Sequence, residues 1–252
     1  LIPLCCKARE TEMPNGIIED VKSLEIIAQI DYDFSKFQNA EVSHFSVVTR
    51  TEIIDEMVSA YLKEQPEGTV INLGSGLDTR CIRLDNGKMR WIDIDLPEAI
   101  EMRENFFHEH ERLRFVRKSV LDYSWMKETP REEVLLIAEG LLMYFEEREV
   151  KDLLRRLCVE FRNSEIVLET LDPIVARNTR RHDSISKIDS KVELKWGIKS
   201  ATEVASWHPR LQFVDEVYLL DRHRDRLRPW LRLSAKIPRI RKIARISRYR
   251  IA

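Results

Sequence analysis

One stretch constrains this chain more than any other: Val70-Ile-Asn-Leu-Gly-Ser-Gly-Leu-Asp-Thr-Arg80. An apolar run of strand length ends in Gly74 and Gly76, two of only seven glycines in 252 residues. Glycine after a strand permits a tight turn and lets a ligand approach the backbone closely. Free N–H groups at the start of a following helix can then hold an anion. The arrangement opens an α/β unit, and the rest of the chain repeats the alternation.

Hydrophobic periodicity and breakers predict a helix over 46–63 and strands over 69–73 and 89–94. They then predict a helix over 97–110, strands over 114–120 and 133–138, a helix over 146–161 and a strand over 165–171. Late strand candidates fall at 211–219 and 242–251. Strands alternating with helices argue for a doubly wound, mostly parallel, Rossmann-like α/β sheet. Two stretches stand outside the repeat. Residues 1–45 read as a helical N-terminal cover. Residues 174–210 form an insertion after the fifth strand, helical and polar in pattern, and read as a lid. The length fits one domain over 1–252.

Composition excludes some classes of function. The formal net charge is −1, with 42 Lys and Arg against 43 Asp and Glu. Bulk charge therefore does not suggest a nucleic-acid binder, and none is expected. The longest apolar runs are far short of the ~20 residues that span a bilayer, so no membrane role is expected. The N-terminal run is too short for a signal peptide, and the expected location is cytoplasmic. The four cysteines and six histidines show no metal-ligand spacing, so no metal is expected.

The glycine loop alone leaves its ligand open. Asp93 and Asp95 close the second strand, where an acidic side chain can accept both ribose hydroxyls. The full dinucleotide fingerprint wants a third glycine or alanine, and this chain has Thr79 there. That argues against NAD. It favours an adenosine-bearing ligand with a carboxylate instead of a pyrophosphate, which describes S-adenosylmethionine (SAM).

The segments Gly74-Ser-Gly-Leu-Asp-Thr-Arg80, Trp91-Ile-Asp-Ile-Asp-Leu-Pro97 and Ala138-Glu-Gly-Leu-Leu-Met-Tyr-Phe145 together resemble the leucine carboxyl methyltransferase family. So do Val48-Thr-Arg50-Thr-Glu-Ile-Ile-Asp55 and Ser119-Val-Leu-Asp-Tyr-Ser-Trp125. The likeness is strongest to the bacterial branch, similar to the tetracenomycin polyketide-synthesis O-methyltransferases. It covers residues 1–172 and fades beyond them.

The resemblance implies a class I SAM-dependent methyltransferase fold and a set of roles. Arg50 would pair with the SAM carboxylate; Gly74, Ser75 and Gly76 would line the methionine end. Asp95 would hold the ribose diol, with Asp93 the alternative. Ser119, Val120 and Leu121 would lie by the adenine. The family often has Asp-Leu where this chain has Ser119-Val120, so Asp122 could substitute. Glu139, with Gly140 beside it, would face the SAM ammonium or the acceptor. Tyr144 would pack near the sulfonium, and with Glu139 it is the catalytic candidate. S-adenosylhomocysteine would be the product.

The implied acceptor is the carboxylate or hydroxyl of a small, polyketide-like molecule. Alternatives are a protein C-terminal leucine carboxylate and a non-catalytic SAM- or nucleotide-binding module. A carboxylate is already a nucleophile at neutral pH; a phenol, with a pKa of ~10, benefits from a base. His44 and His182 are the candidate bases, being the histidines of the two cover segments. From His223 to Ala252 there are eleven Lys or Arg and one acid, Asp225. Such asymmetry suits a nucleic-acid, carrier-protein or membrane-surface contact. The polyketide resemblance points to an acidic acyl-carrier protein.

Overall fold

The computed structural model describes residues 1–177 and 193–252. Seven strands form one sheet: β1 (Thr69–Leu73), β2 (Arg90–Asp95), β3 (Leu113–Arg117), β4 (Val134–Ala138), β5 (Ser164–Leu171), β6 (Leu211–Tyr218) and β7 (Ala244–Ile251). Their order is β3-β2-β1-β4-β5-β7-β6. The first five pair in parallel, and β7 runs antiparallel to both β5 and β6. The doubly wound sheet expected from the alternation is therefore present.

The central strands are apolar on both faces because both are covered. Alternate residues divide between two cores. Ile71, Leu73, Ile92, Leu136 and Ala138 face α6 (Glu147–Glu160), which contributes Val150, Leu153, Leu154 and Leu157. Val70, Trp91, Leu135 and Ile137 face α3 (Glu41–Glu64), which contributes Ile53, Ile54, Val58 and Leu62.

Element ends differ from the periodicity for local reasons. Helix α3 begins five residues earlier than expected, at Glu41. Helix α5 (Pro97–Glu104) stops short of 110 because the Asn105 amide donates back to the Glu101 and Met102 carbonyls. Strand β3 ends at Arg117 because the Ser119 hydroxyl accepts from Leu121 N at 3.2 Å and turns the chain.

Residues 1–45 hold α1 (Ile2–Thr11), α2 (Val21–Ile27) and a short 3-10 turn, Phe34–Phe37. This cover is fastened at Thr79, where the dinucleotide fingerprint would have glycine. The Thr79 hydroxyl donates to Asp20 at 2.5 Å and accepts from Lys7 at 3.1 Å and Arg83 at 2.6 Å. The described part of the insertion is less polar than expected. It contains α7 (Pro173–Ala176), an extended run and α8 (Ala201–Ala205). Trp196 and Ile198 of that run are buried in the α6-side core. His182 lies outside the described residues.

Candidate active site

The C-terminal ends of β1 and β4 converge with α1, α3 and α5 on a cavity of about 270 Å³. Of the predicted residues, Arg50, Gly74, Ser75, Gly76, Glu139 and Gly140 line it. Gly74 leaves β1 with φ +70°, and a Cβ there would lie 2.7 Å from the Leu141 side chain. Gly140 has φ +61°, and its missing side chain leaves room for the Arg50 guanidinium. The Ser75 hydroxyl is buried and has no hydrogen-bond partner among the described residues. A polar atom left this way beside a cavity suits a polar ligand.

Four charged side chains organise the cavity wall. Arg50 donates from Nε to Glu139 Oε1 at 2.8 Å and from Nη1 to both Glu169 oxygens at 2.9 and 3.0 Å. Its Nη2 donates to no described residue. Glu139 Oε2 accepts from Arg80 Nη2 at 2.8 Å. Arg80 is fully buried and also donates to Asp55 and Asp78, both at 2.5 Å. Gly140 N donates to Glu169 Oε2 at 2.7 Å, which fixes the turn carrying Glu139.

The two glutamates are driven in opposite directions. Burial pushes the Glu139 carboxyl up, but Arg80 and Arg50 outweigh it and hold it below its ordinary range. Burial also pushes Glu169 up, and Arg50 offsets this only in part, so Glu169 lies above its ordinary range. Asp78 is held well below the usual carboxylate range: Arg80, Lys7 and Arg83 overcome its burial.

Asp93 and Asp95 share a strand and have different environments. Asp93 is fully buried, accepts from Trp91 Nε1 and Asn72 Nδ2, and pairs with Arg103 at 2.6 Å. It belongs to the interior. Asp95 is half-buried at the strand end and accepts from Gly76 N and Leu96 N at 2.7 and 2.8 Å. It stands beside the glycine loop.

Ser119, Val120, Leu121 and Asp122 follow β3 at the same edge of the sheet and do not line the cavity. Val120 is buried, and its carbonyl accepts from Trp125 Nε1 at 3.0 Å. Asp122 caps the Tyr123–Lys127 turn by accepting from Ser124 N at 3.1 Å. Tyr144 sits in the one-turn helix Leu142–Tyr144, is 36% exposed as a residue and lies outside the cavity lining. Burial pushes its hydroxyl up, with Arg50 and Glu169 the charges acting on it. His44 is pinned away from the cavity, with Nε2 at 2.7 Å from Glu10.

The sequence reading assigned no role to Arg80, Asp78, Glu169 or Lys7. A glutamate directly after the apolar run Ile166-Val-Leu168 of β5 was a usable signal for Glu169. Lys7 carried none, because only the folded cover brings it to Asp78 at 3.2 Å.

The model of one protein family, leucine carboxyl methyltransferase, matches residues 6–158. The chain belongs to that family. It is 28% identical over 223 residues to the tetracenomycin polyketide synthesis O-methyltransferase TcmP of Streptomyces glaucescens, covering 88% of this chain and 82% of that one. It is 31% identical to the S-adenosyl-L-methionine-dependent methyltransferase dpfgK of Gibberella zeae, covering 66% of this chain and 61% of the relative. Among solved structures, the fold is like that of the N-methyltransferase NodS from Bradyrhizobium japonicum WM9 in complex with S-adenosyl-l-homocysteine. That likeness has a TM-score of 0.54 at 13% identity and covers 91% and 97% of the two chains. The protein is thus a SAM-dependent methyltransferase of class I fold.

Proposed function

We propose that this family member methylates the carboxylate of a free, small, polyketide-like molecule in the cytoplasm. The observation that carries the reading is the Arg50–Glu139–Arg80 chain at the cavity wall, with Arg50 Nη2 left for an anion. Bound SAM would supply an electrophilic methyl group on a sulfonium. Arg50 would take the SAM carboxylate, a task suited to a permanently charged planar fork. Glu139 would take the ammonium, and Asp95 the ribose hydroxyls. Ser75 and the Gly74–Gly76 backbone would line the methionine end, and the Ser119–Asp122 turn would flank the adenine. Gly140 would keep Arg50 close, and Tyr144 would border the acceptor.

The choice of a carboxylate over a phenol rests on basicity. Glu139 and Asp78 are paired with arginines and held below their ordinary range, which makes them weak bases. His44 faces Glu10 instead of the cavity. An acceptor already ionised at neutral pH fits these surroundings. A carrier-bound acceptor would draw on the basic C-terminal run, but most of those cations are paired within the chain. The four free cysteines suit a reducing cytoplasm.

A protein C-terminal leucine carboxylate is the second reading, favoured by the family description. S-adenosylhomocysteine release should be measured with small aromatic acids, matching phenols and a peptide ending in free leucine. Turnover confined to the acids supports the proposal. Turnover confined to the phenols or to the peptide overturns it.

A further inference from the structure

The basic run from His223 to Ala252 is largely neutralised within the fold. Arg224 and Arg241 pair with Asp221, Arg226 with Glu10, Arg228 with Glu41, Arg248 with Asp215 and Arg250 with Glu165. Among the described residues, Arg232, Lys236 and Arg239 form no ion pair. Arg232 lies in α9 (Pro229–Ser234), Lys236 in the turn that prolongs it, where Lys236 N donates to Leu233 O and Ile237 N to Ser234 O, and Arg239 in the helical turn Pro238–Arg241 that follows.

This segment is apolar on two sides. Leu227, Leu231 and Ala235 pack inward against Phe45 and Leu220. Trp230, Leu233 and Ile237 are 58, 66 and 53% exposed. Trp230 and Leu233, three residues apart in α9, share one face, and Ile237 follows in the turn that prolongs it. Single exposed apolar side chains are ordinary; three within one short segment with unpaired cations alongside are not.

We infer that this ridge docks on an anionic lipid surface. The match is of charge and shape together. Arginine and lysine meet phosphate headgroups, while tryptophan and the aliphatic side chains enter the boundary below them. An acidic protein surface would satisfy the cations and leave the protruding apolar row in water unless it also carried a matching groove. The absence of a spanning segment does not bear on this, because the contact is peripheral. The segment that carries the ridge packs on the same helix that carries Arg50. Phe45, beneath the ridge, and Arg50, at the cavity, lie on α3 about 7.5 Å apart along its axis.

The test is co-sedimentation of the full chain with phosphatidylcholine vesicles, with and without phosphatidylglycerol. Binding should be at least about tenfold tighter with the anionic lipid and should weaken as salt rises. The surface triple variant Trp230→Ser, Leu233→Ser, Ile237→Ser should lose vesicle binding. It should keep its melting temperature and its affinity for S-adenosylhomocysteine. Two results overturn the proposal: no binding to anionic vesicles, or a triple variant that binds as the parent does. The second would mean attraction by charge alone, as an acidic protein partner would use.

Discussion

Arg50 and Glu139 meet at 2.8 Å across 89 residues of sequence, and the meeting sets the character of the cavity. Neither residue is neutralised by one partner alone. Glu169 takes a second edge of Arg50, and Arg80 takes the second oxygen of Glu139. The result is a hydrogen-bonded array of alternating charge.

Removing Glu139 should therefore affect fold and binding separately. Glu139→Ala removes one of the three carboxylates that hold the buried Arg80 guanidinium, which keeps Asp55 and Asp78, and should cost about 1–3 kcal/mol in urea unfolding. Glu139→Gln keeps the shape and should cost less stability. It should still weaken S-adenosylhomocysteine binding by roughly tenfold or more, read by calorimetric titration. Equal affinity in parent and Gln variant would remove Glu139 from the cofactor site.

Arg50→Lys tests the carboxylate contact. Lysine keeps the charge and loses the fork, so SAM affinity should fall by about tenfold or more. Methylthioadenosine, which has no carboxylate, should bind parent and variant alike. A matching loss for both ligands would mean that Arg50 supports the cavity without touching the carboxylate.

The two aspartates of β2 should separate cleanly. Asp93→Asn leaves Arg103 without its buried counter-charge and should lower stability by about 3 kcal/mol or more. Asp95→Asn should change stability little and lower S-adenosylhomocysteine affinity by about tenfold. The reverse pattern in paired unfolding and titration experiments would exchange their roles.

Acid should unfold the protein through these pairs. Glu139, Asp78, Asp20 and Glu10 are each held below their ordinary range in the fold: arginine and lysine neighbours overcome burial at the first three, and backbone and His44 hydrogen bonds with Arg226 do so at Glu10. A carboxylate depressed on folding contributes stability that is complete above its unfolded pKa, about 4, and is lost as pH falls through the folded value. Glu169 and Asp93 are raised by burial and act oppositely, gaining stability as they protonate. The four depressed groups outnumber them. Urea midpoints should stay nearly level from pH 7 to about 5 and fall steeply below about 4. A midpoint that rises below pH 4 would contradict the assignment.

Much of the architecture was legible in the chain because it is local. Short apolar runs alternating with helical spacing marked the α/β order, and the glycines after Leu73 marked the loop. The acids ending the second strand marked the neighbouring edge. Element ends were less legible because single side chains set them, as Asn105 does for α5 and Ser119 for β3. The 193–199 run was misread as polar cover because its charged residues alternate with Leu194, Trp196 and Ile198, which turn inward.

Sequence by itself determined the order of strands and helices, the glycine turn and the family motifs, since these depend on neighbours within a few residues. Tertiary structure decided which aspartate is buried and which stands at the loop, and which carboxylates hold each arginine. It also showed that most of the basic tail is neutralised while its apolar ridge is exposed. The physical reason is reach. Hydrogen bonds and periodicity within an element can be read along the chain. Ion pairs closed across 59, 89 or 119 residues exist only once the sheet has brought their ends together.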